Sequence, residues 1–196
     1  MRIWRPRALR HWVLAVLCFP VLAGARTIGD EFVEDDNFRV VDAAVFRSGQ
    51  LREDEWNESL AEHGYRSVLN LRGAEPTQPW YALELRFAAE HHLAHFDIRL
   101  SAEHQPSAEA LRQLLTVLRE APKPLLVHCK NGADRSGLAA ALYLFAIRMR
   151  PAAEAEGQLS LRFGHFPWLV SQTGAMDRAL STVIDASHNA GAVPSG

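Results

Sequence analysis

The chain has 196 residues, 48% of them hydrophobic and 22% charged, a composition typical of one globular domain with a substantial core. The formal net charge is −2, but residues 1–25 contain four arginines and no acid, so removing those four positive charges leaves −6 on the remainder. A mildly acidic body argues against nucleic acid as the main partner.

The N-terminus has the pattern of an export signal. A basic stretch, MRIWRPRALR, precedes the apolar run WVLAVLCFPVLAGA, which is too short for a comfortable membrane span and ends in small residues. We expect residues 1–25 to be a signal peptide, cleaved before Arg26, and the mature protein to be periplasmic without stable membrane insertion. An uncleaved membrane anchor is the alternative. Cleavage would remove Cys18 and leave Cys129 as the only thiol, which favours a reactive cysteine in an oxidising compartment.

The predicted elements alternate between strands and helices along the chain. One or two short strands are predicted within 38–48, and further strands at 65–73, 93–100 and 124–129. Helices are predicted at 52–63, 80–92, 107–120 and 135–150, followed by helical stretches around 152–163 and 167–185. The alternation predicts one α/β domain over residues 26–186, with a central mostly parallel sheet flanked by helices. Residues 187–196 are predicted to be a disordered tail.

The segment VHCKNGADRSG, residues 127–137, joins an apolar predicted strand to a predicted helix. The N–H groups of such a loop and the helix N-terminus form a ready anion site. We expect Cys129 to be a thiolate nucleophile, and Arg135 to offer a planar fork to two phosphate oxygens. Gly132 lets the chain turn, and Ser136 can donate a hydrogen bond to the departing sulfur.

The remaining side chains of this loop have weaker predicted roles. His128 is expected to orient the loop rather than act as a base, and Lys130 could contact additional substrate phosphate. Asp134 would repel heavily phosphorylated ligands, or is simply favoured by the helix dipole. The balance favours phosphoprotein or small phosphomonoester substrates. The predicted phosphate-binding residues are Lys130, Asn131, Gly132, Ala133, Asp134 and Arg135.

The motif His128-Cys129-x5-Arg135-Ser136 resembles the active-site motif of the cysteine-dependent protein tyrosine phosphatase superfamily. The form HCKNGADRSG is most similar to the dual-specificity-like branch, which includes exported bacterial tyrosine phosphatases and phosphoinositide and inositol-phosphate phosphatases. VFRSGQL and YRSVLNLRG, at 45–51 and 65–73, look like the opening strands of these enzymes.

This resemblance implies a compact dual-specificity phosphatase-like fold and a phosphomonoester hydrolase with a phosphocysteine intermediate. A protein tyrosine or dual-specificity phosphatase is the favoured activity, and its mechanism needs no metal or cofactor. The alternatives are an inositol polyphosphate or phosphoinositide phosphatase and a phosphate-binding pseudophosphatase. A phosphorylated protein or a small phosphomonoester is the implied partner.

The resemblance also implies a carboxylic acid upstream of the loop, which protonates the leaving group and later activates water. Glu103, within LSAEHQPS, lies in the loop where relatives carry an aspartate, and is the preferred candidate. Asp97, within HFDIRL, has the usual residue type but is predicted to lie mid-strand. His104, Asp134 or the absence of a dedicated acid are further possibilities.

The sequence also predicts the surroundings or role of three other groups of residues. The histidines at 91, 92 and 95 are expected to form a solvated helix end rather than a metal site. The motif FGHFPW, residues 163–168, is expected to be a turn packed on the core, with an aromatic wall of the cleft (Phe163, Phe166 and Trp168) as the alternative. Arg47 and Arg72 are expected to be structural rather than catalytic.

Overall fold

The computed structural model describes residues 37–166 and 174–191. The predicted signal peptide, Trp168 and residues 192–196 lie outside this range. Among the described residues, no helix is both long enough and apolar enough to cross a membrane.

The described strands and helices follow the predicted order. The strands are β1 (Arg39–Asp42), β2 (Val45–Ser48), β3 (Ser67–Asn70), β4 (Ala94–Asp97) and β5 (Leu125–His128). The helices are α1 (Glu53–His63), α2 (Pro79–Glu90), α3 (Ala108–Glu120), α4 (Asp134–Leu142), α5 (Ala152–Glu156) and α6 (Gly174–Gly191). A π-helical turn (Tyr143–Ile147) continues α4, and a 3-10 helix (Leu161–Phe163) lies between α5 and α6.

The strands form one sheet in the order β1-β2-β5-β3-β4. The β1–β2 pair is antiparallel and the other three pairs are parallel, so the predicted mostly parallel α/β sheet is confirmed. In register, His128 at the end of β5 lies between Ser48 of β2 and Asn70 of β3. The carboxyl ends of these three strands therefore meet at one edge, where ligands bind in open parallel sheets.

Apolar side chains cover both faces of the sheet, in a larger hydrophobic cluster on one face and a smaller one on the other. Successive residues of a strand point to opposite faces, so Leu125 and Val127 join the larger cluster while Leu126 joins the smaller one. Helix α3 contributes its apolar stripe to the larger cluster, and Ser107 caps its N-terminus by accepting a hydrogen bond from the Ala110 amide at 3.1 Å. The buried stripe of α3 consists of Leu111, Leu114 and Leu118.

Several helix boundaries differ from the predicted ones. The stretch predicted around 152–163 is α-helical only over Ala152–Glu156 and is followed by the 3-10 helix. The predicted helix over 135–150 is α-helical only as far as Leu142, and its π-helical continuation turns the Tyr143 hydroxyl toward Asp42, with O–O distances of 3.0 and 3.2 Å. Helix α6 runs to Gly191, past residue 187, where the sequence predicts the disordered tail to begin. Proline is the clearest signal for the end of a helix in a sequence, and neither residue 142 nor residue 187 is a proline. The local sequence therefore does not mark where either helix ends.

Candidate active site

The loop between β5 and α4 is attached to the segment that follows β2. Cys129 donates its amide to the Ser48 carbonyl at 3.3 Å, and Lys130 accepts from the Gln50 amide at 3.1 Å. Asn131 forms an isolated antiparallel bridge with Gly49. The first half of the loop thus lies against the end of a neighbouring strand.

Gly132 is required where the loop turns. Its φ is +68°, and a Cβ atom there would lie 2.7 Å from the amide nitrogen of Gly49, well inside contact distance. Any other residue would push the loop off the strand end. The glycine predicted to allow the turn therefore also allows the close approach of two backbones.

Cys129 and Ser136 face each other across the loop. The Cys129 sulfur lies 3.5 Å from the Ser136 hydroxyl oxygen, and Cys129 is only 2% exposed. Ser136 lies in the first turn of α4, so the sulfur is near the N-terminus of that helix, whose partial positive charge favours an anion. This arrangement can stabilise a thiolate.

Arg135 directly precedes Ser136 in the chain, and its hydrogen-bond donors are only partly used. One terminal nitrogen donates to the Leu100 carbonyl at 3.4 Å, a long hydrogen bond, and Nε is buried with no hydrogen-bond partner among the described residues. A buried N–H group without an acceptor is costly and is rare in native proteins. The guanidinium therefore keeps hydrogen-bonding capacity for a further acceptor, and a phosphate oxygen has the matching chemistry.

A second arginine, Arg47, lies buried beneath the loop. One terminal nitrogen donates to the carbonyls of Gly132 and Ala133 at 2.8 and 2.9 Å. The other donates to the Gln158 carbonyl and side chain at 2.8 and 3.0 Å, and the guanidinium carbon lies 4.6 Å from the centre of the Phe163 ring. The predicted structural role of Arg47 agrees with these contacts.

The contacts of Arg47 determine which way the loop amides point. In a trans peptide the N–H group is directed opposite to the carbonyl. Because the carbonyls of Gly132 and Ala133 point down at Arg47, the amides of Ala133 and Asp134 point to the opposite side. Burial lowers the pKa of Arg47 to about 10, partly offset by Cys129 and Asp134, so the group stays cationic at neutral pH.

Behind the loop, the buried carboxylate of Glu84 accepts three hydrogen bonds. His128 and His95 donate to one oxygen at 3.0 and 2.7 Å, and Gln50 donates to the other at 3.0 Å. Burial alone would raise the pKa of Glu84, but the charge of His128 and the three hydrogen bonds outweigh it and hold the pKa well below its usual range. His128 is oriented by this carboxylate, as expected of a residue that positions the loop.

His95 is therefore not part of a solvated helix end. It lies on β4 rather than on a helix, its side chain is 11% exposed, and it hydrogen-bonds to Glu84. The prediction for this cluster was wrong at His95, because a contact with a residue eleven positions away on another element has no signature in the local sequence.

Arg72 extends the same network to the rim of the site. It lies two residues beyond the end of β3, donates to the Gln50 side chain at 2.8 Å and stacks over the Trp80 ring at 3.5 Å. Burial lowers the pKa of Arg72, and the charge of Arg135 lowers it further, so the two guanidinium groups influence each other.

The two candidate acids have different surroundings. Asp97 ends β4, and both its oxygens are engaged, one with Asn70 at 2.8 Å and the other with the Tyr81 hydroxyl at 2.5 Å. Glu103 lies exposed in the bend after Leu100, the residue whose carbonyl Arg135 contacts. His104, in the same bend, hydrogen-bonds to Ser101.

Asp134 has a partner that the sequence did not suggest. Its carboxylate contacts Nδ1 of His165 at 2.7 Å, and Nε2 of the same ring contacts Asp177 of α6 at 2.9 Å. His165 is fully buried. Asp134 begins α4, which agrees with the alternative that the helix dipole favours it, and the contact with His165 weakens the argument that it repels phosphorylated ligands.

The described part of the FGHFPW motif, residues 163–166, lies against the loop, and the aromatic wall stays a prediction because Trp168 lies outside the described residues. Phe163 stacks on Arg47, and its carbonyl accepts a hydrogen bond from Asn37 at 2.8 Å, while Phe166 is 43% exposed. The signal that could have identified His165 is its place in this motif, one residue after a glycine.

Residues 24–173 of the sequence match the model of a protein family described as DSP-PTPase phosphatase fused to NAD+ kinase. The matched range contains the loop, both candidate acids and His165. A comparison with curated proteins gives no match.

Several solved structures share the fold. A putative phosphatase (DUF442) from Shewanella putrefaciens is 18% identical with a TM-score of 0.59, over 80% of this chain and 97% of that one. The core catalytic domain of the PP-IP phosphatase SIW14 from S. cerevisiae is 20% identical with a TM-score of 0.57, over 79% and 94%. TpbA from P. aeruginosa in complex with pTyr is 18% identical with a TM-score of 0.54, over 74% and 83%. These likenesses confirm the compact phosphatase-like α/β fold.

Replacing Arg47 with lysine tests its role beneath the loop. Lysine keeps the charge but has one compact donor group, so it cannot reach the carbonyls of the loop and of Gln158 together. We expect Arg47→Lys to lower the free energy of unfolding by about 2 kcal/mol and to weaken inorganic phosphate binding about tenfold or more. Urea unfolding and calorimetric titration measure the two effects. Arg112→Lys, at an exposed ion pair on α3, is the control and should change neither.

Glu84→Gln tests the buried carboxylate. Glutamine leaves at least one of the three donors without an acceptor, so the free energy of unfolding should fall by about 3 kcal/mol at pH 7. Because folding lowers the pKa of Glu84, its stabilisation is present above the usual carboxyl pKa of about 4.3 and is lost as the pH falls toward the lowered value. The difference in the free energy of unfolding between wild type and Glu84→Gln should therefore become smaller below about pH 4.

Denaturant unfolding across pH measures this difference, and Glu58→Gln on the exposed face of α1 is the matched control. A variant as stable as wild type at pH 7, or a gap that stays constant in acid, would contradict the role given to Glu84.

Proposed function

The chain belongs to the family of DSP-PTPase phosphatases fused to NAD+ kinase, in agreement with the resemblance seen in the sequence, and we propose that it hydrolyses phosphomonoesters through a Cys129 thiolate. The favoured activity is that of a protein tyrosine or dual-specificity phosphatase. The observation that carries the proposal is the arrangement around the sulfur. Ser136 lies 3.5 Å from it, and the neighbouring Arg135 keeps a buried N–H group that has no partner within residues 37–166 and 174–191.

In the first step the Cys129 sulfur attacks the phosphorus atom, the S–P bond forms and the bond to the leaving oxygen breaks. Arg135 and the amides of the loop stabilise the charge on the oxygens of the transferring group. The amides of Ala133 and Asp134 support this role because Arg47 holds the carbonyls on the other side. The leaving oxygen takes a proton from a carboxylic acid.

In the second step a water molecule attacks phosphorus and gives its proton to the same carboxylate. The P–S bond breaks, inorganic phosphate is released, and the electron pair returns to the sulfur as a thiolate. The hydroxyl of Ser136 supports this return, because a hydrogen bond to a thiolate makes it a better leaving group.

We assign the proton transfers to Glu103. Two observations support this choice over Asp97: Glu103 is exposed in the bend that follows the Arg135 contact at Leu100, and both Asp97 oxygens already accept hydrogen bonds. Burial and the hydrogen bond to Asp97 raise the pKa of Tyr81 to about 12. The Tyr81 hydroxyl is therefore protonated at neutral pH and donates to Asp97.

An inositol polyphosphate or phosphoinositide is the second candidate substrate. Arg72 lies at the rim of the site and Lys130 is exposed on the loop, so a ligand with several phosphates would find further cations there. The argument that Asp134 excludes such ligands loses force, because His165 contacts that carboxylate. A panel of phosphotyrosine peptide, phosphoserine peptide and inositol phosphates distinguishes the substrate classes by kcat/KM.

Cys129→Ser tests the proposed nucleophile. The serine hydroxyl is far less ionised than a thiol, so turnover of an aryl phosphate should fall to background while inorganic phosphate still binds. Steady-state assays with and without vanadate measure this. Wild-type protein without vanadate-sensitive turnover, or a Ser variant with full activity, would reject the thiolate mechanism.

Glu103→Gln and Asp97→Asn together test the proposed acid. A general acid matters most when the leaving group is basic, so Glu103→Gln should lower kcat about a hundredfold or more with phenyl phosphate. The loss should be much smaller with a nitrophenyl ester, whose leaving group needs no proton.

Asp97→Asn should instead lower the melting temperature, with a similar effect on kcat for both esters. If the dependence on the leaving group appears in Asp97→Asn and not in Glu103→Gln, the assignment is reversed.

A further inference from the structure

His165 joins the phosphate loop to the last helix through two carboxylates. Its Nδ1 lies 2.7 Å from an oxygen of Asp134 in the loop, and its Nε2 lies 2.9 Å from an oxygen of Asp177 on α6. A carboxylate can only accept hydrogen bonds, and neutral imidazole has only one N–H group. Both contacts are therefore satisfied together only when the ring is an imidazolium.

The backbone around His165 fixes the ring in this position. The 3-10 helix ends at Gly164, whose φ is +74°, and the His165 amide donates to the Ser160 carbonyl at 3.2 Å. The side chain is fully buried, whereas the side chains of Asp134 and Asp177 are 20% and 41% exposed. Because the turn buries the ring between two acids, these contacts belong to the folded interior and are not an incidental ion pair on the surface.

The charged groups around the ring come from several elements. Asp134 belongs to α4 and Asp177 to α6, and both face the ring directly. The charge of Asp134 also acts on Arg47 of β2, while Glu156 of α5 lines a cavity together with Asp177. Burial alone would lower the pKa of His165, but its hydrogen bonds to Asp134 and Asp177 and their charges raise it above the ordinary 6.5.

We propose that His165 is a positioning residue for phosphate binding: as an imidazolium it holds the Asp134 carboxylate to the side of the loop and cancels its charge. Without this cation, a carboxylate adjacent in sequence to Arg135 would oppose the binding of a phosphate dianion. The proposal deepens the proposed function, since it rests on the loop being the phosphate site. It also makes phosphate affinity dependent on the protonation of a ring that does not itself contact the substrate.

The key experiment compares the inhibition constant of inorganic phosphate in His165→Gln and in the double variant His165→Gln/Asp134→Asn. Loss of one charge near the loop should weaken phosphate about three- to tenfold in the single variant. Asparagine keeps the loop amide but removes the negative charge, so the double variant should recover the lost affinity. His188→Gln, an exposed position on α6, is the matched control and should leave the constant unchanged.

A pH series tests the same idea without the single variant. As the pH rises through the raised pKa of His165, wild type should lose phosphate affinity relative to the double variant His165→Gln/Asp134→Asn, which has neither the ring nor the carboxylate. Titration of the phosphate and of the remaining groups occurs in both proteins and drops out of the ratio. The series needs only the double variant to fold, so it remains decisive if His165→Gln alone proves too unstable to assay, as judged by its melting temperature.

Three results would overturn the proposal: a folded His165→Gln protein with wild-type phosphate affinity, a loss that Asp134→Asn does not restore, or a ratio that stays constant with pH. Each concerns phosphate affinity. Failure of the hydrolase proposal is seen instead as absent turnover of aryl phosphates by wild type, so the two failures are distinguishable.

Discussion

The geometry of the site depends on one buried cation, the guanidinium of Arg47. It holds the carbonyls of Gly132 and Ala133 on its own side of the loop, and the amides of the same peptides consequently point to the other. It also binds Gln158 and stacks on Phe163, so the segment after α5 is fixed to the loop by the same group. The amides of Ala133 and Asp134 therefore face away from Arg47 because a positive charge is buried on the carbonyl side of the loop.

Features that depend on local sequence are predicted well. The alternation of elements follows from the periodicity of apolar residues, and the parallel sheet follows from that alternation. The loop itself is recognisable because strand, glycine and helix start are consecutive in the chain, and the spacing from Cys129 to Arg135 is set by the turn at Gly132. The amino-acid sequence alone is therefore enough to predict the fold and the centre of the candidate site.

The residues that support the loop cannot be predicted in this way, because their partners are distant in sequence. Arg47 is 85 residues from Gly132, Glu84 is 44 residues from His128, and His165 is 31 residues from Asp134. No periodic pattern encodes such pairs. A weak signal is present for Arg47, since an arginine within an apolar predicted strand needs a partner once it is buried, and all four residues of β2 are buried. For Glu84, on a helix with mixed polar and apolar residues, the sequence offers no comparable signal.

The contacts of His128 with Glu84 and of His165 with Asp134 have the same electrostatic consequence. A site for phosphate dianions in a chain with an acidic body must keep nearby carboxylates from opposing the ligand. Glu84 lies behind the loop and is bound by His128, and Asp134 lies within the loop and is bound by His165. With both acids engaged, Arg135 and the loop amides would meet little opposition in binding the proposed phosphate ligand. The acids in turn orient the two rings, so each pair engages a carboxylate and fixes one end of the loop, at β5 through His128 and at α4 through Asp134.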